Sequence, residues 1–292
     1  MKKSQYPKWL HQKLASSCES NATTATTATL QKNLLFTVCE EAKCPNRGYC
    51  FSKKRATFLA LGNQCTRSCG FCNIAFASCP ADVDPTEPER IANSVSDMNL
   101  SHVVITMVTR DDLQDGGANH IKQILKKIKE ISSKISVEIL TSDFDGNFDS
   151  LKIALEEKPD IFNHNLETTR RLTNSLRHKA QYERSLSVLQ AAKKLNKARF
   201  IKSGLMVGLG ETKEEVKQTL LDLKNVGVDI VTIGQYLQPN PKKRKVEEFV
   251  DPSVFQEYEN YGKSIGIKYT LSAPFVRSSY LADQILESIS KM

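Results

Sequence analysis

From Ala56 onward, short runs of β-branched and other apolar residues alternate with longer segments whose apolar positions recur every three or four residues. The short runs are ATFLALG, HVVITMV, SVEILTSDF, DIFNHNLET, FIKSGLMVGLG and DIVTIGQYLQP. Between the second and third, Ile121, Ile124, Leu125, Ile128 and Ile131 share one face of a helix; after the fifth, Val216, Leu220, Leu223 and Val226 repeat that spacing. Parallel neighbours can be joined only by a long crossover, usually a right-handed one carrying a helix, so the alternation predicts an α/β chain of βαβ units. Six units predict a parallel sheet curling into a partial or full barrel with its helices outside.

In such sheets ligands bind at the carboxyl ends of the strands. Polar residues gather there: Thr109-Arg110-Asp111-Asp112, Ser142-Asp143, Asn163-His164-Asn165 with Glu167, and Gln235-Tyr236. Any single one of these could equally cap the helix that follows. Ahead of the first strand the periodicity fails. The stretch NATTATTATL is built of small and β-branched residues without an apolar face, which predicts a surface loop or wrapping arm.

Composition narrows this picture only a little. The chain has 292 residues, 40% hydrophobic and 25% charged, enough for one large domain or two small ones. Forty-one Lys and Arg against 33 Asp and Glu give +8, which favours an anionic partner or substrate. No run approaches the roughly 18 apolar residues of a membrane span. The opening MKKSQYPKWLHQKL lacks the apolar centre of a signal peptide, so a cytoplasmic protein without membrane association is expected. Thiols stay reduced there, and clustered cysteines read as metal ligands or catalytic groups before disulfides.

Six of the eight cysteines lie between Cys39 and Cys72, in two groups of three; Cys18 and Cys79 stand apart and read as ordinary cysteines. Cys65, Cys69 and Cys72 follow the first predicted strand with C-x3-C-x2-C spacing. A compact loop of this kind can put three thiolates on three irons of a cubane cluster and leave the fourth iron open to a substrate or cofactor. A zinc ribbon needs a fourth Cys or His nearby, and the next imidazole, His102, opens a strand. Cys39, Cys44 and Cys50, spaced C-x4-C-x5-C, fit a zinc or other structural site when taken alone. The basic run PKKRKVEEF from Pro241 raises a rival reading, a nucleic-acid-binding protein with structural zinc. As a connection after the sixth strand, the same run is a solvated basic loop.

The C-x3-C-x2-C loop after the first of six β/α units resembles the radical S-adenosylmethionine (SAM) superfamily, with Phe71 at its common aromatic position. The upstream trio, together with CEEAKCPN, ATFLALGNQCTRSCGFC, VVITMVTRDDLQDGGA, FNHNLET, SGLMVGLGET, TIGQYLQP and FVRSSY, resembles the lipoyl synthase family over nearly the whole chain. The resemblance implies a partial (β/α)6 TIM-type barrel at residues 56–250. An N-terminal extension (1–55) would carry the auxiliary-cluster cysteines, and a C-terminal extension (251–292) the Arg277-Ser278-Ser279-Tyr280 motif. The implied cofactors are two [4Fe-4S] clusters and SAM. Cys65, Cys69 and Cys72 would hold the catalytic cluster; Cys39, Cys44, Cys50 and Ser279 would hold the auxiliary one, with Ser278 the alternative fourth ligand. Asn165 and Glu167 would meet the SAM ribose, Arg184 the methionyl carboxylate, and Gly116-Gly117 and GLMVGLGET would shape the pocket.

The implied activity is insertion of two sulfur atoms, at C6 and C8 of an octanoyl chain on a lysine of a lipoyl domain, by SAM-derived 5′-deoxyadenosyl radicals. The auxiliary cluster would donate the sulfur, in the final step of protein lipoylation. Implied partners are octanoylated lipoyl-domain proteins (E2 subunits of 2-oxoacid dehydrogenases and the glycine cleavage H protein), an electron donor such as flavodoxin or ferredoxin, and an iron-sulfur carrier for cluster repair, with no nucleic acid. A biotin synthase relative would lack both the upstream trio and the Arg-Ser-Ser-Tyr tail. Tyr49 stands where the family commonly has an acidic residue, and LRHKA and TSDF stand where it has prolines; none of these changes removes a ligand.

Overall fold

The computed structural model describes residues 7–10 and 17–290. Its strands are β1 (Phe36–Thr37), β2 (Thr57–Ala60), β3 (Gln64–Cys65), β4 (Ala75–Phe76), β5 (His102–Met107), β6 (Ser136–Leu140), β7 (Ile161–Asn163), β8 (Phe200–Val207), β9 (Ile230–Gln235) and β10 (Tyr269–Ser272). The main sheet runs β1-β2-β5-β6-β7-β8-β9-β10, while β3 and β4 form a separate parallel pair. From β2 to β10 every neighbour is parallel; β1 alone is antiparallel, against β2. The sheet ends at β1 and β10, so the α/β barrel is partial and open.

All six expected strands are present. A seventh parallel strand, β10, extends the sheet beyond β9; its four residues, YTLS, are too few and too mixed to signal a strand by periodicity. The helix Ala118–Ile131 buries Ile121, Ile124, Leu125 and Ile128, as the pattern predicts. Ile131 departs from it at 42% exposure, because it is the last helical residue and Ser132 turns to extended backbone. Helix Lys213–Asn225 buries Val216, Leu220 and Leu223 and opens with a capping box between Thr212 and Glu215.

The largest correction concerns NATTATTATL, which lies not in a loop but in the helix Ser17–Lys32. Its threonines spend their hydroxyls on backbone carbonyls. Thr27 and Thr29 donate to Thr23 and Ala25 one turn back, at 3.0 and 3.2 Å, while Thr26 donates to Phe51 at 2.8 Å. With the polar atoms satisfied, the methyl groups and Leu30 can pack, and Leu30 joins the core. The side chain of Cys18 lies outside the described residues.

One layer of the sheet is charged. Lys202 on β8 donates to both carboxylate oxygens of Glu138 on β6, at 3.0 and 2.9 Å, and Asn163 on β7 donates to the same carboxylate at 2.9 Å. All three residues are 0% exposed, and full pairing is what permits charge there. The two ends of the chain meet on one side of the barrel. Asn46 donates to the Phe275 carbonyl at 2.7 Å, and Arg55 pairs with Asp283 at 2.5 Å. Among the described residues, no helix is long and apolar enough to cross a membrane.

Candidate active site

The cysteine loop leaves β2 and is tied down at the carboxyl ends of other strands. Thr66 N–H donates to the Thr109 carbonyl just past β5, at 3.0 Å, and Gly70 N–H donates to the Leu176 carbonyl at 2.7 Å. Within the loop, Ala77 N–H reaches the Cys65 carbonyl at 3.0 Å, which pairs β3 with β4. The buried Arg67 makes two bonds to Asp111, at 2.9 and 2.8 Å, and a third contact to Asp143 at 2.8 Å. Burial works against the charge on Arg67, but the two carboxylates hold its guanidinium above its ordinary value.

This loop closes one side of a cavity of about 470 Å3. Cys65, Cys69 and Cys72 line it, as do Cys39, Cys44, Ser278 and Ser279, so members of both trios share one space. Cys50 faces a second cavity of about 230 Å3, which Cys39, Cys44 and Ser279 also border. All six cysteines are free thiols. Burial pushes Cys39 and Cys72 up to about 12 and Cys50 to about 11, and it raises Cys69 against the opposing His178 amide and Arg177 charge. Such thiols are neutral until a cation replaces their protons.

The strand ends supply the rest of the wall. Thr109, Ser142, Asp143, His164, Asn165, Glu167, Gln235 and Tyr236 line the cavity, whereas Arg110, Asp111, Asp112 and Asn163 of the polar gathering read from the sequence do not. Glu167 has φ of 65°, left-handed for a non-glycine residue, and is held there by bonds on both sides: its N–H to the Gly204 carbonyl at 3.0 Å and its carbonyl from Met206 N–H at 2.9 Å. Burial raises the Glu167 carboxyl above its ordinary value; Arg177 and a 3.1 Å bond from Asn165 oppose this. The Asn165 amide oxygen is buried without a hydrogen-bond partner among the described residues. A Cβ on Gly204 would stand 2.8 Å from that oxygen, so the glycine keeps open the space beside it.

Behind this wall the tautomer of His164 is set by its neighbours. Nδ1 donates to the Thr141 carbonyl at 2.9 Å, so Nε2 accepts from the Ser185 hydroxyl at 2.9 Å, and Ser185 in turn accepts from Arg177 at 3.0 Å. Burial, with Arg177 adding to it, pulls the imidazole down to about 4 and keeps it neutral. Arg67, Arg177 and Arg277 are the guanidiniums among the described residues that line the cavity, Arg277 beside the serine segment at β9. Arg184 does not line it: its Nε donates to Asp143 at 2.7 Å and Nη1 to Asp145 at 2.5 Å. Gly116 and Gly117 also lie off the cavity, where a side chain would strike Phe144 and Leu61.

The auxiliary side depends on a close approach. The Val276 carbonyl lies against Gly234 on β9 where any Cβ would collide, which seats the Arg277-Ser278-Ser279 segment across the strand end. Asn46 ties the Cys39–Cys50 stretch to the same segment through Phe275. Tyr49 and Tyr280 pack with ring centroids 6.4 Å apart.

The donor set fits the cofactors implied. Among the described residues no three His, Cys, Asp or Glu side chains gather tightly enough for a single metal ion, as structural zinc would require. A cubane spreads its thiolates over separate irons, and two trios of free thiols bordering adjoining cavities suit that chemistry. An unpartnered amide oxygen and a buried carboxyl beside Gly204 suit a pair of hydroxyl donors such as a ribose presents.

A family model described as the radical SAM superfamily matches residues 59–223. Over 283 residues the chain is 53% identical to the lipoyl synthase of Protochlamydia amoebophila strain UWE25, covering 96% of this chain and 87% of that protein. The lipoyl synthase of Caldicellulosiruptor saccharolyticus is 49% identical over 290 residues, covering 99% and 100%. The chain belongs to the lipoyl synthase family. Among solved structures, Streptococcus suis SuiB bound to precursor peptide SuiA aligns with a TM-score of 0.57 at 15% identity, over 96% of this chain and 59% of that one. This lipoyl synthase family chain thus spans less than two thirds of SuiB, and the likeness concerns the fold alone.

Sequence reasoning missed Arg67, Arg177 and Ser185. Arg67 sits inside the cysteine motif, and its position between two cysteines was the available signal. Arg177 carried none, because its role follows from the chain turning back over the loop after the helix Arg170–Leu176. In this lipoyl synthase family member Asn73 and Asn240 add a further link. Asn240 donates to Asn73 at 2.7 Å, and Asn73 donates to the Glu41 carbonyl at 2.6 Å, joining the two cysteine segments.

Proposed function

We propose that this protein inserts two sulfur atoms, at C6 and C8, into an octanoyl chain carried on a lysine of a lipoyl domain. The observation that carries this reading is the single cavity bordered by Cys65, Cys69 and Cys72 on one side and by Cys39, Cys44 and Ser279 on the other. Cys65, Cys69 and Cys72 would hold the SAM-binding cluster; Cys39, Cys44, Cys50 and Ser279 would hold the auxiliary cluster. When bound, these groups supply a SAM-derived radical able to take hydrogen from an unactivated C–H bond, and the sulfur itself, chemistry beyond any side chain.

The chain's own residues bind, orient and exclude. Asn165 and Glu167 receive the ribose hydroxyls, each turning a side-chain oxygen to the cavity as an acceptor. Arg177 takes the methionyl carboxylate, since its guanidinium lines the cavity and its Nη1 is oriented by Ser185. Arg184 acts at one remove: it holds Asp143, and Asp143 holds Arg67 in the cysteine loop. Leu59, Met107, Val108, Leu140, Leu205 and Met206 supply apolar walls that accept an alkyl chain and exclude water. An electron donor such as flavodoxin or ferredoxin and an iron-sulfur carrier belong to this reading, as does a cytoplasmic location.

The test is incubation of the anaerobically reconstituted protein with SAM, a reductant and an octanoylated lipoyl domain. The expected product is heavier by two sulfurs less the hydrogens replaced. 5′-Deoxyadenosine formed without any sulfur gain would assign a different substrate.

A further inference from the structure

The basic run from Lys242 to Lys245 is anchored on the cysteine loop. Arg244 N–H donates to the Gly70 carbonyl at 2.8 Å, Lys243 Nζ donates to the Cys69 carbonyl at 3.4 Å, and the Tyr236 hydroxyl donates to the Arg244 carbonyl at 2.7 Å. On the loop's other side, Ser68 N–H donates to His178 Nδ1 at 3.2 Å, and the His178 ring meets Phe76 edge-on at 6.4 Å. Residues 68–70 are therefore held between two segments that both present side chains to solvent. Lys242, Arg244, Lys245 and His178 are exposed, and Phe76 is 54% exposed. Arg244 pairs with Glu247 at 2.9 Å, whereas Lys242 and Lys245 make no ion pair among the described residues. Gln238 and Pro239, immediately before the run, line the cavity.

We propose that this surface docks an acidic carrier domain, the one that delivers the lysine-bound octanoyl chain to the cavity; the inference rests on the reading given under Proposed function. A substrate tethered to a protein brings a whole folded domain to the cavity, so that domain must settle on exposed surface nearby. An exposed aromatic ring on one side of residues 68–70 and unpaired ammonium groups on the other offer a folded partner an anchor and a charge that steers an acidic surface. Single-stranded nucleic acid would call for a series of stacking rings along the basic track, and the run from Lys242 to Lys245 has none. The docked domain would also rest on the backbone that carries Cys69, so the seat and the chemistry share one loop.

The experiment compares holoenzyme kinetics on an octanoylated lipoyl domain and on a short octanoyl-lysyl peptide, using the double variant K242E/K245E and, separately, Phe76→Ala. Lys243 is left intact because it bonds the Cys69 carbonyl. For the double variant the expected result is a KM for the domain raised about tenfold with kcat kept, less than a twofold change on the peptide, and a weaker salt dependence of domain binding. Phe76→Ala should raise the domain KM about fivefold at any salt. Iron content equal to that of the parent protein shows that each variant is folded and loaded. A domain KM unchanged within twofold in both variants overturns the proposal. So does a double variant that loses affinity for an RNA oligonucleotide while its domain KM stays put. If the parent protein converts neither substrate, the underlying reading falls instead, and the peptide arm reports that directly.

Discussion

The two cysteine trios are close in sequence and have members on one cavity, yet they are held in different ways. Cys65, Cys69 and Cys72 ride on a loop whose anchors are strand ends of the barrel: Thr109 and Asp111 after β5, Asp143 after β6, and Leu176 beyond β7. Cys39, Cys44 and Cys50 are held by the meeting of the chain's two ends, through Asn46 with Phe275 and Arg55 with Asp283. The first site is thus an outgrowth of the core, while the second is a clasp between distant segments.

The sharpest way to break this comparison is to remove one thiol from each side. Cys69→Ala should abolish 5′-deoxyadenosine formation and sulfur insertion together. Cys44→Ala should keep deoxyadenosine formation and lose sulfur insertion, each variant retaining about four of about eight irons. Identical profiles for the two would show that the trios are not separate sites.

The anchors come next. Asp143→Asn weakens the hold on Arg67 and Arg184, which keep Asp111 and Asp145, so a loss of about 2–3 kcal/mol in global stability is expected from urea unfolding. Burial alone would raise the Asp143 carboxyl, but Arg67 and Arg184 overcome it and hold the group well below the usual range. Its contribution is therefore full above about pH 4 and fades only as pH falls towards that depressed value. Asn46→Ala should cost only about 1 kcal/mol and show itself as preferential loss of auxiliary iron. A large global loss from Asn46→Ala would mean that the clasp is part of the core.

The smallest effect is chemical. In metal-free protein, Cys39 and Cys72 are pushed up to about 12 by burial, while Cys79 is exposed. Iodoacetamide at pH 8, followed by mass spectrometry, should label Cys79 at least about tenfold faster than either. Cys50, at about 11, should label ahead of Cys39 within the clasp. Uniform labelling would show that neither site keeps its thiols neutral.

Much of this was legible in the residues themselves. The six strands declared themselves because each is a run of apolar residues between polar ends, and buried parallel strands leave that mark. The cysteines declared themselves by spacing, since ligands on one loop must be near in sequence. Other features left no such mark. The helix Ser17–Lys32 read as a loop because Thr and Ala make no stripe, and its packing on the helix Arg47–Ser52 is what satisfies the hydroxyls of Thr23 and Thr26. Strand β10 is too short to show a period, and it forms because β9 offers an unpaired edge.

The sequence by itself determined the order of β/α units, the ligand-bearing loop and the family, all of which rest on neighbours along the chain. Tertiary structure alone decided that members of both trios face one space, that Arg177 lines it while Arg184 supports Asp143, and that the basic run lies against the cysteine loop. Those relations join residues tens to hundreds of positions apart. Only the closing of the sheet and the meeting of the chain ends bring such residues within reach of a hydrogen bond.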